Sequence, residues 1–128
     1  MSALTEGQHT GEYILSEAEG FLSRENVTVT IPTATKLGAG LVLGKLTATG
    51  KYVPYDNAGG DGSDVAAAVL YDNLDNSAGV APLDVVAVVH IRDCEVRKGS
   101  LVWASGLVDA DKTAAYADLA VEHVIARD

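Results

Sequence analysis

The sequence predicts a compact, β-rich domain of mixed α/β class, with one or two short helices and a flexible N-terminal arm. Short runs of Val, Leu, Ala and Thr alternate with loops rich in Gly and Asp, a pattern typical of strands joined by tight turns. Only residues 110–120 have the composition of a good helix. The 128 residues correspond to one domain.

The first 20 residues are the least core-like part of the chain, because they carry four Glu and three Gly residues. One short apolar patch, Tyr13-Ile14-Leu15, interrupts them. An arm of this composition is mobile when free, and an apolar patch would let it become ordered on a partner. Alternatively, the patch forms an edge strand of the chain's own domain. The composition leaves both interpretations open.

Strict alternation predicts a half-buried strand at residues 24–32. The apolar side chains Val27, Val29 and Ile31 occupy every second position, with polar residues between them. Pro32 ends the strand because proline has no backbone N–H for a sheet ladder.

Apolar runs and turn residues predict the other elements. The loops are residues 56–64 and 72–79, and the helix, residues 110–120, has Asp109 as its N-cap. Residues 41–48 and 51–55 are predicted strands that form a β-hairpin around Gly50. The segment 94–97 is predicted to extend strand 83–91 after a bend. The other predicted strands are residues 65–71, 100–103 and 121–125.

Residues 36–45, KLGAGLVLGK, look like a phosphate-binding loop but lack its spacing. A P-loop has four residues between its glycines and a Ser or Thr after the lysine, whereas three residues separate Gly40 from Gly44 and Leu46 follows the lysine. We therefore predict a turn at Gly38 and Gly40. Gly44 is predicted to mark a bulge or a close backbone approach within a strand.

No catalytic or metal-binding motif stands out in the sequence. The loop at residues 59–64 matches one turn of a calcium β-roll, a motif that acts only in stacked copies. His90 and Cys94 would lie ~13 Å apart along a strand, too far for a base to meet a thiol. The three histidines lack metal-ligand spacing. We predict no enzymatic activity, no cofactor and no bound metal.

The net charge of −9 argues against partners that are nucleic acids or anionic membranes. No apolar run approaches the ~18 residues of a membrane span, and the N-terminus lacks the features of a signal peptide. Cys94 is the single cysteine, so no intrachain disulfide can form. We expect the chain to reside in the cytosol where it is made, or in a particle assembled there.

Trp103 is the only tryptophan in a chain poor in aromatic residues. Such a side chain is typically an anchor, either in the core or at an oligomer interface.

Several motifs, in this order, resemble the bacteriophage head decoration proteins of the phage lambda type. The resemblance spans residues 24–128 and is strongest in residues 40–71 and 88–120. The motifs are Gly50-Lys-Tyr-Val-Pro-Tyr-Asp56, the loop ending Asp61-Gly-Ser, Ala66-Ala-Ala-Val-Leu-Tyr71, Val88-Val-His-Ile-Arg-Asp-Cys-Glu-Val-Arg97, Leu101-Val-Trp103 and an Ala-rich helix.

The resemblance implies a β-tulip-like barrel, residues 23–128, and an N-terminal arm, residues 1–22. It also implies a non-enzymatic capsid decoration protein on the outer surface of the phage head, made in the host cytoplasm. Trimers would bind the major capsid protein of the expanded head at three-fold and quasi-three-fold positions and stabilise it against DNA pressure. The arm would pair with the capsid protein as an added β-strand.

The resemblance also assigns candidate contact residues. Ala104 departs from the family, which often has Pro after the Trp. The alternatives are another phage structural adaptor of the tail or baseplate, a small carrier-type β domain, or a small enzyme using His90 and Cys94. The candidate capsid contacts are Glu12, Tyr13, Ile14, Leu15, Phe21 and Leu22, and the candidate core or trimer-interface anchors are Trp103, Pro54 and Tyr55.

Overall fold

The computed structural model describes residues 9–128, apart from the side chains of residues 20 and 21. Within this range the chain forms a closed five-stranded barrel, a three-stranded sheet and a two-stranded sheet, which confirms the predicted β-rich fold. The helices are α1 (Gly20–Ser23) and α2 (Asp109–Val121). The strands are β1 (Ile14–Glu17), β2 (Arg24–Ile31), β3 (Thr35–Leu37), β4 (Val42–Lys45), β5 (Tyr52–Pro54), β6 (Ala66–Leu70), β7 (Leu74–Asn76), β8 (Leu83–His90), β9 (Cys94–Arg97) and β10 (Val124–Arg127).

The barrel has the strand order β2-β5-β4-β6-β8, and β8 closes it against β2. These two strands form a long antiparallel ladder, from Arg24 opposite His90 to Ile31 opposite Leu83. Successive side chains of a strand point to opposite faces, so Val29 and Ile31 lie inside the barrel core. The alternation in the sequence therefore corresponds to the inner and outer faces of the barrel.

The second sheet has the order β1-β9-β10 and lies outside the barrel. β9 pairs antiparallel with β1 and parallel with β10. Helix α2 packs against β10 and β6, and its buried residues Ala115 and Leu119 join Cys94, Val96 and Val124 in a second hydrophobic core. No helix within residues 9–128 is long and apolar enough to cross a membrane.

Most predicted elements are confirmed. Residues 24–32, 65–71 and 83–91 contain β2, β6 and β8, and the predicted helix corresponds to α2. The hairpin is formed by the antiparallel pair β4 and β5, with Gly50 at a φ of 73° in its turn. The last strand, β10, begins three residues after the predicted start.

The strand at Cys94–Arg97 does not extend β8 as predicted. Asp93 has a φ of 52°, a left-handed conformation that turns the chain out of the barrel ladder. β9 therefore enters the second sheet, where it pairs with β1 and β10.

Three further predictions were wrong in detail. Residues 72–79 are not only a loop, because β7 lies within them and pairs with β3, which the sequence did not indicate. Residues 100–103 form no regular strand; a 3-10 turn covers Lys98–Ser100, and Val102 makes only an isolated bridge. The N-cap of α2 is Val108 and not Asp109. The Val108 N–H donates to the Asp111 carboxylate at 3.1 Å.

The glycines of residues 36–45 have the predicted backbone roles. The Leu41 N–H donates to the Gly38 carbonyl at 3.1 Å, and Gly40, inside this turn, has a φ of 90°. The register between β4 and β6 shifts at Gly44. A Cβ atom at Gly44 would lie 2.7 Å from the Cα and carbonyl oxygen of Ser63, so the predicted close approach is also present.

Gly44→Ala should lower the free energy of unfolding by about 1–3 kcal/mol, because the added methyl group would overlap backbone atoms of Ser63. Urea denaturation followed by Trp103 fluorescence measures this loss. Gly60→Ala is the matched control, since a Cβ atom there would meet nothing within 4 Å. Equal stability of the two variants would contradict the close approach.

Candidate functional site

The N-terminal segment, residues 9–24, contains the candidate contacts and lies against the folded body. Tyr13 is fully buried and Ile14 is half-buried, so both side chains hold the segment in place. β1, which begins at Ile14, is the edge strand that the sequence left open as one of two interpretations.

Other candidate contacts in this segment point outward. Leu15 is 40% exposed and Leu22 is 50% exposed, both high values for large apolar side chains. Glu12 is also exposed. The side chain of Phe21 and all of residues 1–8 lie outside the described part of the structure.

One edge of β1 is open. β9 pairs with β1 on one side, and no strand within residues 9–128 pairs on the other. The paired side is anchored at both ends, since the Arg97 N–H donates to the Tyr13 carbonyl at 2.9 Å and the Ala18 N–H donates to the Asp93 carbonyl at 3.0 Å. An unpaired strand edge can accept a strand from another chain.

A chain of side-chain hydrogen bonds fastens this segment to the barrel. The Glu17 carboxylate accepts hydrogen bonds from Arg24 Nη2 at 2.6 Å, Ser23 Oγ at 2.9 Å and His90 Nε2 at 2.5 Å. His90 Nδ1 lies 2.6 Å from the Tyr13 hydroxyl. An ionised carboxylate only accepts, so His90 carries its hydrogen on Nε2, and Nδ1 accepts from Tyr13. We call Tyr13, Glu17, Ser23, Arg24 and His90 the polar clasp.

The electrostatics of the polar clasp follow from its contacts. The Arg24 hydrogen bond, helped by His90 and Ser23, lowers the pKa of Glu17 to about 2. Burial lowers the pKa of His90 below its ordinary value, although Glu17 opposes this shift. Burial also raises the pKa of Tyr13. At neutral pH the clasp therefore holds an ionised Glu17, a neutral His90 and a neutral phenol.

The residues considered for nucleophilic chemistry have other partners. His90 and Cys94 lie on strands of different sheets, and both ring nitrogens of His90 are engaged by Tyr13 and Glu17. Burial raises the pKa of the Cys94 thiol to about 12, so it stays protonated at neutral pH. Among residues 9–128 no three His, Cys, Asp or Glu side chains come together as a metal-binding group.

A second surface brings together the three candidate anchors Trp103, Pro54 and Tyr55, in an open groove of about 540 Å³. The Trp103 ring packs edge-on against Tyr55, at 6.3 Å between centroids, and against Tyr116, at 5.6 Å. Trp103 is half-buried and Tyr55 is buried. One side of Trp103 thus belongs to the core, while another lines the groove together with Ala104.

The polar clasp was not predicted from the sequence. Its members are separated by up to 77 residues. The β2–β8 ladder places Arg24 beside His90, and the pairing of β1 with β9 brings in Glu17. The one signal was a histidine at the end of the most apolar strand, because a buried imidazole needs partners for both nitrogens.

Two comparisons with known proteins bear on this chain. The family model described as bacteriophage lambda head decoration protein D matches residues 3–124. No curated protein matches the chain.

Tyr13→Phe should lower the free energy of unfolding by about 1–3 kcal/mol, since it leaves the buried His90 Nδ1 without a donor. Guanidinium denaturation followed by circular dichroism measures the change. Tyr116→Phe is the control, because the Tyr116 hydroxyl makes no hydrogen bond within the described residues and its loss should change stability by less than about 0.5 kcal/mol. Similar losses in both variants would show that the Tyr13 hydroxyl is not specially required.

Proposed function

The chain belongs to the family of the bacteriophage lambda head decoration protein D, and on this premise we propose how it binds. As a member, it is a structural protein of the virion that decorates the phage head. We propose that it binds the major capsid protein on the outer surface of the expanded head, as trimers at three-fold and quasi-three-fold positions. By bridging neighbouring capsid subunits, it stabilises the shell against the pressure of packaged DNA. We also propose that the chain is synthesised in the host cytoplasm.

The open edge of β1 is the observation that supports the capsid contact. A capsid strand added there would gain backbone hydrogen bonds along Ile14–Glu17 without displacing β9. The exposed side chains of Leu15, on β1, and Leu22, on the following helix α1, would supply apolar contact. Residues 1–8 precede the segment and belong to the same proposed contact.

The candidate contacts divide into two roles under this proposal. Glu12, Leu15 and Leu22 are exposed and would face the capsid protein. Tyr13 and Ile14 pack against the second core, so they would position the contact from behind. Phe21 remains a proposed contact.

The groove at Trp103 is the surface that we assign to the trimer. Its lining is apolar and aromatic, including Pro54, Tyr55 and Leu107, which is the chemistry of the buried centre of a subunit interface. Three copies in one trimer would present three N-terminal segments to the shell. Simultaneous engagement raises the overall affinity well above that of one segment.

Replacement of both Leu15 and Leu22 by Asp should weaken binding to expanded heads by at least about tenfold, because two apolar contacts would become desolvated charges. Co-sedimentation of labelled protein with purified heads measures the dissociation constant. Val86→Asp is the control, since Val86 is equally apolar, 74% exposed and located on β8.

Undiminished binding by the double variant would contradict a capsid contact through β1. Isolated tails provide a second comparison in the same assay. Preferential binding to tails would instead support an adaptor role. Heating of filled heads with and without bound protein, with released DNA as the readout, tests stabilisation against internal pressure.

Ala104→Glu should dissociate the trimer, because Ala104 lines the groove and a carboxylate there would be buried against Trp103. Light scattering should show a fall from three times the 13.2 kDa chain mass to one. Ala114→Glu, at an exposed position of α2, should leave the mass unchanged. An unchanged mass for Ala104→Glu would place the trimer contact elsewhere.

A further inference from the structure

The N-terminal segment is joined to the body by the polar clasp, by the β1–β9 ladder and by exposed side-chain hydrogen bonds such as Thr10 to Asp72 and Ser16 to Glu95. β1 has only four residues, and its ladder with β9 is interrupted by a register shift between Ile14 and Ser16. Leu15 and Leu22 bury only part of their surface, because they are 40% and 50% exposed. The buried part of the attachment is Tyr13 with its partner His90, and Glu17 links this pair to Arg24.

The clasp tolerates only one protonation state of His90. The ring is fully buried, with Nδ1 accepting from Tyr13 and Nε2 donating to Glu17. A second proton on the ring would sit on Nδ1 and face the Tyr13 hydroxyl. That hydroxyl would have to turn its own hydrogen away, and it has no other hydrogen-bond partner among the described residues. An unsatisfied buried donor opposes this state.

We propose that the polar clasp is an acid-released latch, which holds residues 9–22 on the body at neutral pH and frees them when His90 is protonated. Arg24 stays paired with His90 in the β2–β8 ladder. The barrel remains folded in the released state, because its core is built from other residues. The core beneath α2 loses Tyr13 and keeps Ala115, Leu119, Val96 and Val124. The role of release in capsid binding rests on the proposed function above: an opened latch makes residues 9–22, with their candidate contacts, available to the shell.

The direction of the pH dependence of release follows from both titrating groups, His90 and Glu17. The pKa of His90 is lowered by burial, so the neutral, latched form is fully favoured above the ordinary histidine pKa of about 6.5 and loses stability as the pH falls below it. The pKa of Glu17, lowered to about 2, adds a second loss of stability as the pH falls below about 4.5. Acid therefore favours release in two successive windows.

The groups around His90 are the members of the clasp and one neighbour, Tyr71. Glu17 from β1 favours the protonated ring, and Arg24 from β2 opposes it. Tyr13 packs edge-on at 5.5 Å between ring centroids, and Tyr71, after β6, lies at 5.8 Å. Arg24 also lies over the Tyr71 ring, at 4.4 Å. Burial outweighs the attraction of Glu17 in lowering the pKa of His90.

The chain contains a natural reporter of release. Cys94 is buried on β9, directly opposite Glu17 of β1, and is the single cysteine. Departure of β1 uncovers its thiol. Trp103 packs between Tyr55 and Tyr116 and reports on the body.

The test measures the rate at which Cys94 reacts with 4,4′-dithiodipyridine, a reagent that remains active in acid. Each rate is divided by that of the urea-unfolded chain at the same pH. From about pH 7 to about pH 5 we expect the normalised rate to rise by about tenfold or more, with the Trp103 emission maximum unchanged. A rate independent of pH, or a Trp103 shift that accompanies the rise, would overturn the latch.

Variants separate the two pH ranges in which His90 and Glu17 titrate. His90→Gln should remove the rise above about pH 4.5 and keep the one below it, since glutamine can bond to both neighbours without titrating. Glu17→Gln should remove the lower window and raise the normalised rate at neutral pH. His123→Asn is the control, because His123 is exposed and has a φ of 62° that asparagine tolerates. A wild-type response in His90→Gln would assign the effect to another group.

These measurements use the free protein, so their outcome is independent of the head-binding assays. A protein that binds heads but shows no acid release would refute the latch alone. Acid release in a protein that fails to bind heads would refute the proposed function and leave the latch standing.

Discussion

The rest of the structure depends on the closure of the barrel by the β2–β8 ladder. The eight-residue register places Arg24 opposite His90 at one end of the barrel. The chain can go no further in this ladder, and the left-handed turn at Asp93 sends it into a separate sheet. β9 is then left with two open edges, which are filled by the first and last strands of the described chain. Barrel closure thus explains why the N-terminal segment is an edge strand beside a buried histidine.

The sequence predicts well the elements whose own pattern determines them. The alternation of residues 24–32 and the apolar run of residues 83–91 need no information about partners, and Gly44 could be assigned a close approach from its place in a strand. β3 and β7 were missed because each has three residues and gains its strand geometry only from the other, 37 to 41 positions away in sequence. Short polar strands carry no periodicity of their own.

The candidate site was predicted as a set of residues and not as an arrangement. Tyr13 and Leu15 look alike in sequence as members of one apolar patch, yet one is buried and the other is exposed. The difference in burial between Tyr13 and Leu15 depends on which face of β1 lies against the core, and the register of β1 with β9 sets that face. The polar clasp could not be predicted from the sequence for a related reason, because Glu17 acquires its partners only through long-range pairing. Acidic residues are common in this chain, and nothing local distinguishes Glu17 from the others.

The opposite directions of the two strands beside β9 also fix where the chain ends emerge. β1 is antiparallel to β9 and begins with Ile14 opposite Val96, whereas β10 is parallel and reaches Val96 at Ala126. The entry of the N-terminal segment and the C-terminus therefore lie at the same end of one narrow sheet. A peptide or protein displayed after Asp128 would share the space around the N-terminal arm, so the length of the connecting linker would govern whether cargo and shell attachment are compatible.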